Sequence, residues 1–383
     1  MNCRYLLFFL LLFLTQACVQ ENDPIQERIE RAENGKGDII IGAAAPLAAY
    51  KGIWEGLEMA VDELNSKGGV LGRKIKIIKE DDESSVSKGQ QIAQKFADNL
   101  DMVAVIGHYN SHISIPNSII YEYNGLLMLS PYSSSPRLTK QGFKRVFRNT
   151  LSDSTWGEAL AKFSQKQRYK KIAIYHVKNE YGTGLSNAFE KYCKEQGITI
   201  VDRLSYDSFS GEKEFRKDLK NWKKMYKFDA IFVAGTMPGA AIFVKEVRNQ
   251  GLQVPIIGGA GLDFQKFLDI AGTAANGTYI GAIFHFADPR KEIQDFVHKF
   301  KQKYNMVPNT CAAQGYDSIL VLAKAMEKAG TTIPDRVADS LRSMNGWDGI
   351  IMKSSFDDNG DIQNAEAAIK VVKNGKFEFY LSK

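Results

Sequence analysis

Cysteine and histidine are both scarce in this chain, which has four of the first and five of the second in 383 residues. Cys3 and Cys18 fall in the amino-terminal segment, and Cys193 and Cys311 sit on separate expected helices. That pattern excludes a disulfide-stapled scaffold, and a chain of this length builds its core without one. His108 and His112 are close in sequence, but one should end a strand and the other start a helix, with no third ligand in register. The strings that announce an enzyme are missing as well: there is no GxxxxGK[ST], HExxH or GxSxG. Gly182-Thr183-Gly184 opens a helix as a dinucleotide loop would, yet Asn187 stands where the third glycine belongs. The chain reads as a non-enzyme with no metal and no cofactor.

Charge of one sign is not in excess either. The net charge is +6, and the lysines of Lys220–Lys227 alternate with apolar residues at helical spacing. They mark a solvated helix face, so no nucleic-acid partner is expected. The longest apolar run, Tyr5–Leu14, is ten residues, against the ~20 that a membrane span needs. Following Arg4 and preceding Thr15-Gln16-Ala17-Cys18, it reads as a signal peptide over residues 1–17. Its Ala-Cys ending resembles a bacterial lipoprotein signal, in which Cys18 carries the lipid anchor; cleavage as an ordinary secretory peptide is the alternative. Both readings give an exported protein, periplasmic or on the cell surface. Residues 18–37 are polar and charged, and read as a tether, either irregular or with a loose helical turn.

What the chain does have is alternation. Apolar runs of strand length (Asp38–Ala44, Lys74–Glu80, Val103–Ile106, Leu126–Leu129) alternate with helical patterns such as Gly52–Lys67 and Ser87–Asn99. The plan restarts near Phe147–Ser152 and runs through strands at Lys171–Val177, Ile198–Tyr206, Ala230–Ala234, Pro255–Gly258 and Tyr279–Phe286. Three helices then follow without strands between them (Glu292–Tyr304, Ala312–Ala329, Pro334–Met344). The end is a hairpin around Asn374-Gly375. Such alternation implies an α/β chain with doubly wound parallel sheets, in about two domains. In such sheets ligands collect at the carboxyl ends of strands, beside helix amino termini. Asn110, Ser111 and His112 lie at one such edge and Tyr132–Ser135 at the next. They suit a small carboxylate; equally, Asn110 and Ser111 could simply cap a helix.

The phrases PLAAY, ELNSKGGVLGRKIKIIKEDDES, VIGHYNS, LSPYSSSPRLT, VFRN, NEYGTGL and GYDSILVLAKAM come in an order that resembles the periplasmic branched-chain amino-acid-binding proteins. These are the type I solute-binding family of ATP-driven (ABC) importers, and the likeness runs from about Ile39 to Leu381. It implies two doubly wound parallel-sheet lobes joined by three hinge crossovers, with ligand in the cleft and delivery to a membrane permease. Lobe I would comprise 38–150 and 286–365, and lobe II 151–285 and 366–383. By this resemblance Ser111 binds the ligand carboxylate, with Tyr132, Ser133 and Ser134 supplying amides and a hydroxyl to the same group. Tyr50 corresponds to a wall tyrosine, flanked by Trp54, and Tyr181 meets the ligand's amino end from the second lobe.

Three departures stand out. Ala260, in Gly258-Gly259-Ala260-Gly261, replaces the family's acidic partner for a ligand ammonium, which leaves Asp263 or Glu180 to compensate or a ligand without an ammonium. Thr236 replaces an aromatic. Ser84 and Asn110 stand where a first-lobe disulfide would be. A ligand-sensing subunit that signals to a regulatory partner would use the same cleft, and an α/β enzyme is the distant third reading.

Overall fold

The computed structural model describes residues 23–46, 50–344, 346–351 and 353–380. The expected signal peptide, Cys18 and the last residues of the hairpin lie outside them. Five parallel strands form a first sheet: β1 (Ile39–Ala44), β2 (Ile75–Glu80), β3 (Met102–Gly107), β4 (Leu127–Ser130) and β5 (Val146–Arg148), in the order β2-β1-β3-β4-β5. A second sheet takes β6 (Lys171–Val177), β7 (Thr199–Tyr206), β8 (Ala230–Ala234), β9 (Ile256–Gly258) and β10 (Thr278–Ala282). A small sheet, β11 (Trp347–Asp348), β12 (Lys353–Phe356) and β13 (Ile362–Gln363), precedes β14 (Ala368–Lys373) and β15 (Lys376–Phe379). The second sheet runs β15-β14-β10-β9-β8-β6-β7. Its five parallel strands therefore repeat the order of the first sheet, while β14 and β15 add an antiparallel edge. That edge makes the sheet mixed rather than purely parallel.

The helices follow from apolar faces between the strands. They are α1 (Pro24–Asn34), α2 (Ile53–Ser66), α3 (Val86–Asp98), α4 (Ser111–Tyr123), α5 (Asp153–Lys166) and α6 (Glu180–Glu195), then α7 (Glu212–Met225), α8 (Gly239–Asn249) and α9 (Gln265–Ala271). Last come α10 (Lys291–Tyr304), α11 (Thr310–Ala329) and α12 (Pro334–Arg342). These last three return to the first sheet: α11 packs along α2, α10 touches α2, and α12 reaches β4. The chain passes from one sheet's elements to the other's after β5, after β10 and after β13. Each sheet reverses its winding beside its first strand, which opens a crevice at the carboxyl ends of β1 and β3 and another at those of β6 and β8. Gly107 closes β3 at φ 146°, and a Cβ there would stand 2.4 Å from the Ala44 carbonyl oxygen, so a side chain would force the two strand ends apart.

The polar stretch expected as a tether is different. Asp23 caps α1 by accepting the Ile25 N–H at 3.0 Å, and Pro24 occupies its first position. The helix docks through a cation. Arg28 is fully buried and donates to the carbonyls of Asn124 (2.9 Å), Asn99 (2.8 Å), Met102 (2.5 Å) and Ala97 (2.6 Å). Burial lowers its pKa to about 10. Ile25, Ile29 and Ala32 line the same inward face, a narrow apolar stripe that is interrupted by the arginine and diluted by seven polar or charged residues. Arg28→Ala would leave buried carbonyls without donors and should cost about 2–4 kcal/mol of stability in urea unfolding; a change under about 0.5 kcal/mol would mean that α1 is not anchored there.

Candidate ligand-binding site

The two sheets' carboxyl edges face a partly open cavity of ≈ 60 Å³, measured as the space open to the centre of a water-sized sphere. One water needs roughly 10–15 Å³ on that measure, so the cavity has room for a small molecule. From the first sheet's side it is walled by Tyr109, Asn110 and Ser111 after β3, Tyr132 and Ser134 after β4, and Thr310, Cys311 and Gln314 of α11. Trp156, Tyr181, Thr236, Ala260, Gly261, Asp263, Phe264 and Ala282, the last residue of β10, face them from the second, and Thr150 and Ile283 come from the crossovers.

The first wall suits an anion. Helix α4 begins at Ser111, and its preceding residue, Asn110, makes no side-chain cap; the Asn110 amide oxygen instead accepts from the Ser84 hydroxyl at 3.2 Å. The simple-cap reading of the Asn110 side chain therefore fails; the Ile113 N–H donates to the Asn110 carbonyl at 2.9 Å, and the Ser111 and His112 N–H groups keep their capacity to donate. Ser111 Oγ accepts the Ser135 N–H at 3.3 Å, which leaves its proton to give. Ser134 is buried, and its carbonyl accepts from the Asp153 N–H (2.7 Å) and from Arg148 Nη1 (3.1 Å). Arg148, wholly buried, also donates to the Ser135 carbonyl at 2.6 Å and pairs with Asp361. The serine loop is thus fixed in place.

Several expected contacts lie elsewhere. Ser133 is buried behind the wall: its hydroxyl bonds Ser114 and the Tyr109 carbonyl, and its N–H donates to Ser130 Oγ. Tyr50 is a second layer, stacked on Tyr109 at 3.8 Å between ring centroids and against Phe264 at 4.7 Å. Trp54 packs against the core on α2, and it is Trp156 that presents an indole to the cavity. His108 is locked in a buried network, with Nδ1 2.9 Å from Asp82 and Nε2 2.9 Å from the Tyr121 hydroxyl and 3.1 Å from Asn117. It braces the loop from within, because its carbonyl takes the Ser114 and Ser130 hydroxyls.

Tyr181, Thr236 and Ala260 do reach the cavity, and the Tyr181 oxygen is oriented by the Gly261 N–H at 3.1 Å. Neither acid that could stand in for the missing carboxylate at Ala260 is free. Asp263 is paired with Lys370 at 2.7 and 2.8 Å, and Glu180 holds the Ser135 hydroxyl and Arg137, each at 2.9 Å. Sequence reasoning missed Tyr109, inside its own HYNS phrase, and the start of α11. Asn309 caps that helix by accepting the Ala312 N–H at 2.9 Å, which brings Thr310 and Cys311 into the first turn and onto the wall.

Residues 41–376 match the periplasmic binding protein family. The Leu/Ile/Val-binding protein homolog 1 of Brucella suis is 30% identical over 335 residues, covering 85% of this chain and 87% of the relative. An ABC transporter substrate-binding protein from Desulfitobacterium hafniense, solved in complex with Leu, is 40% identical with a TM-score of 0.80 and covers 90% of this chain and 100% of that one. A leucine binding protein from Thermotoga maritima is 28% identical with a TM-score of 0.82 and covers 90% and 98%.

Beside the cavity, Asp153 opens α5 fully buried, with no hydrogen-bond partner for either carboxyl oxygen. Burial raises its pKa to about 7; the Ser134 hydroxyl, close by but outside good hydrogen-bond geometry, and the Arg148 charge offset part of this, and Glu180 adds to it. The folded-state value lies above the ordinary 3.8, so between about pH 4 and 7 the folded chain keeps a proton that the unfolded chain has lost. Stability should therefore fall across that window and level off above it. Asp317, buried and raised to about 7, pulls the same way. Asp153→Asn should raise Tm at pH 8 by roughly 2–4 °C, with the gain vanishing near pH 4 in a thermal-unfolding series. An unchanged or lower Tm at pH 8 would contradict the burial penalty.

Proposed function

The chain belongs to the periplasmic binding protein family, and on that premise we propose that it is the exported solute-binding component of an ABC importer. It captures a small carboxylate-bearing molecule, an amino acid or a related organic acid, and hands it to the membrane permease. The observation that carries this reading is the pairing of an uncapped helix start at Ser111 with Ser134 on one wall of the cavity between the two sheets. A carboxylate there would take hydroxyl and amide donors in charge-assisted bonds of roughly 1.5–3 kcal/mol each. Aromatic rings of Tyr109, Trp156 and Phe264 suit the apolar remainder of the ligand. The relative solved in complex with Leu covers 90% of this chain, which supports a small carboxylate-bearing ligand.

Lobe I (38–150 and 286–365) and lobe II (151–285 and 366–383) would swing about the three crossovers, with ligand contacts on both sides stabilising the closed form that the permease reads. Cys18 would tether the protein to the membrane by its lipid, with α1 lying between the anchor and lobe I.

Two outcomes test the reading. Once a thermal-shift screen of amino acids, short organic acids, aromatic acids and amides identifies a binder, Ser111→Ala with Ser134→Ala should weaken it at least tenfold by calorimetry, since ~1.4 kcal/mol is a factor of ten. Unchanged affinity would remove the carboxylate site. Cys18→Ser should move the protein from the membrane fraction to the soluble one; an unchanged distribution would exclude the anchor.

A further inference from the structure

Among the described residues, the walls of the cavity carry one carboxylate and no basic side chain. That carboxylate, Asp263, is buried and already engaged on both oxygens. Lys370 Nζ lies 2.7 Å from Oδ1 and 2.8 Å from Oδ2, and the Thr310 hydroxyl donates to Oδ2 at 2.5 Å. Lys370 comes from β14, the antiparallel edge of the second sheet, and reaches Asp263 from a neighbouring hollow walled by Phe284, Met306 and Phe377. It is itself buried, with its ammonium 5.6 Å over the Phe377 ring. The other titratable groups on the walls are neutral: burial raises the pKa values of Tyr109, Tyr132, Tyr181 and Cys311. Outside the walls, Glu180 is taken by Ser135 and Arg137, and Asp153 is turned against Gly184, where an added Cβ would stand 2.7 Å from its Oδ2.

The Lys370–Asp263 pair therefore sums to zero charge. A ligand ammonium entering the cavity would find no net negative group on its described walls. To reach Asp263 it would have to displace Lys370, and a buried lysine without its partner costs several kcal/mol. At the other end, the donors of the α4 start and the serine loop still favour a negative charge. We infer that Lys370 sets the ligand class: by supplying the ammonium that Asp263 holds, it leaves the cavity fit for a small monocarboxylic acid that has no amino group of its own. The inference rests on the carboxylate reading given above, and adds what must be missing from the rest of the ligand.

Calorimetry at pH 7.5 on the purified chain, with the matched pairs L-leucine/4-methylpentanoate and L-phenylalanine/3-phenylpropanoate, separates the two. In at least one pair the acid without the amino group should bind at least tenfold tighter than its amino acid. Lys370→Met, which frees Asp263, should shift that ratio at least tenfold toward the amino acid, and Lys370→Met with Asp263→Asn should shift it back. Should the lysine variant not fold, Ala260→Asp leaves the pair intact, places an unpaired acid on the same wall, and should move the ratio the same way. Tighter binding of the amino acids by the unaltered chain would overturn the inference while leaving carboxylate capture standing, as would a ratio unmoved by the variants that fold. Failure of all four probes to bind would instead strike at carboxylate capture itself and take this inference with it.

Discussion

Arg148 is the group on which the site's geometry depends. Its guanidinium, wholly buried at the end of β5, holds the Ser134 and Ser135 carbonyls on one side and both oxygens of Asp361 on the other. Its own N–H donates to the Gly360 carbonyl at 2.8 Å. One cation therefore ties the serine loop to the first crossover and to the turn that leads into the third. A buried charge is tolerated only when its partners are all present, so this constraint is stiff. The wall that meets a ligand and the segments that would let the lobes move are set by the same side chain.

Around that point the fold puts two like arrangements face to face. Both sheets wind in the same order, and both present their reversal to the common cavity. Their chemistry differs. The first sheet brings hydroxyls and an uncapped helix start; the second brings rings, a threonine, an alanine and a neutralised ion pair. One end of a ligand is thus offered donors, and the other an uncharged surface.

Much of this was legible in the sequence, because burial on both faces of a parallel sheet produces short apolar runs that periodicity detects. The runs at 171–177 and 230–234 coincide with β6 and β8, and Asn374-Gly375 turns the hairpin where expected. Three-residue β5 was too short to register, and α9 lay in a stretch with no clear face. Helix α1 carried a short helical signal in Ile25, Ile29 and Ala32, but its chief anchor is a cation, and a hydrophobic pattern cannot announce a buried arginine. At the site, residue type identified the loops but not the layer. Ser111 and Ser134 reach the cavity while Ser133 supports them from behind, and Tyr109 stands in front of Tyr50. Which of two adjacent serines or stacked tyrosines faces the gap depends on backbone direction in a turn, and composition does not encode that.

The central claim is that a ligand lies between the two sheets with its carboxylate against the first. A crystal structure of the chain with its best-binding acid tests it most directly. The account predicts carboxylate oxygens about 2.6–3.2 Å from Ser111 Oγ and from donors of the 132–134 loop, with the Lys370–Asp263 pair unbroken. A carboxylate seated anywhere else, or a ligand bound outside this cavity, would contradict it.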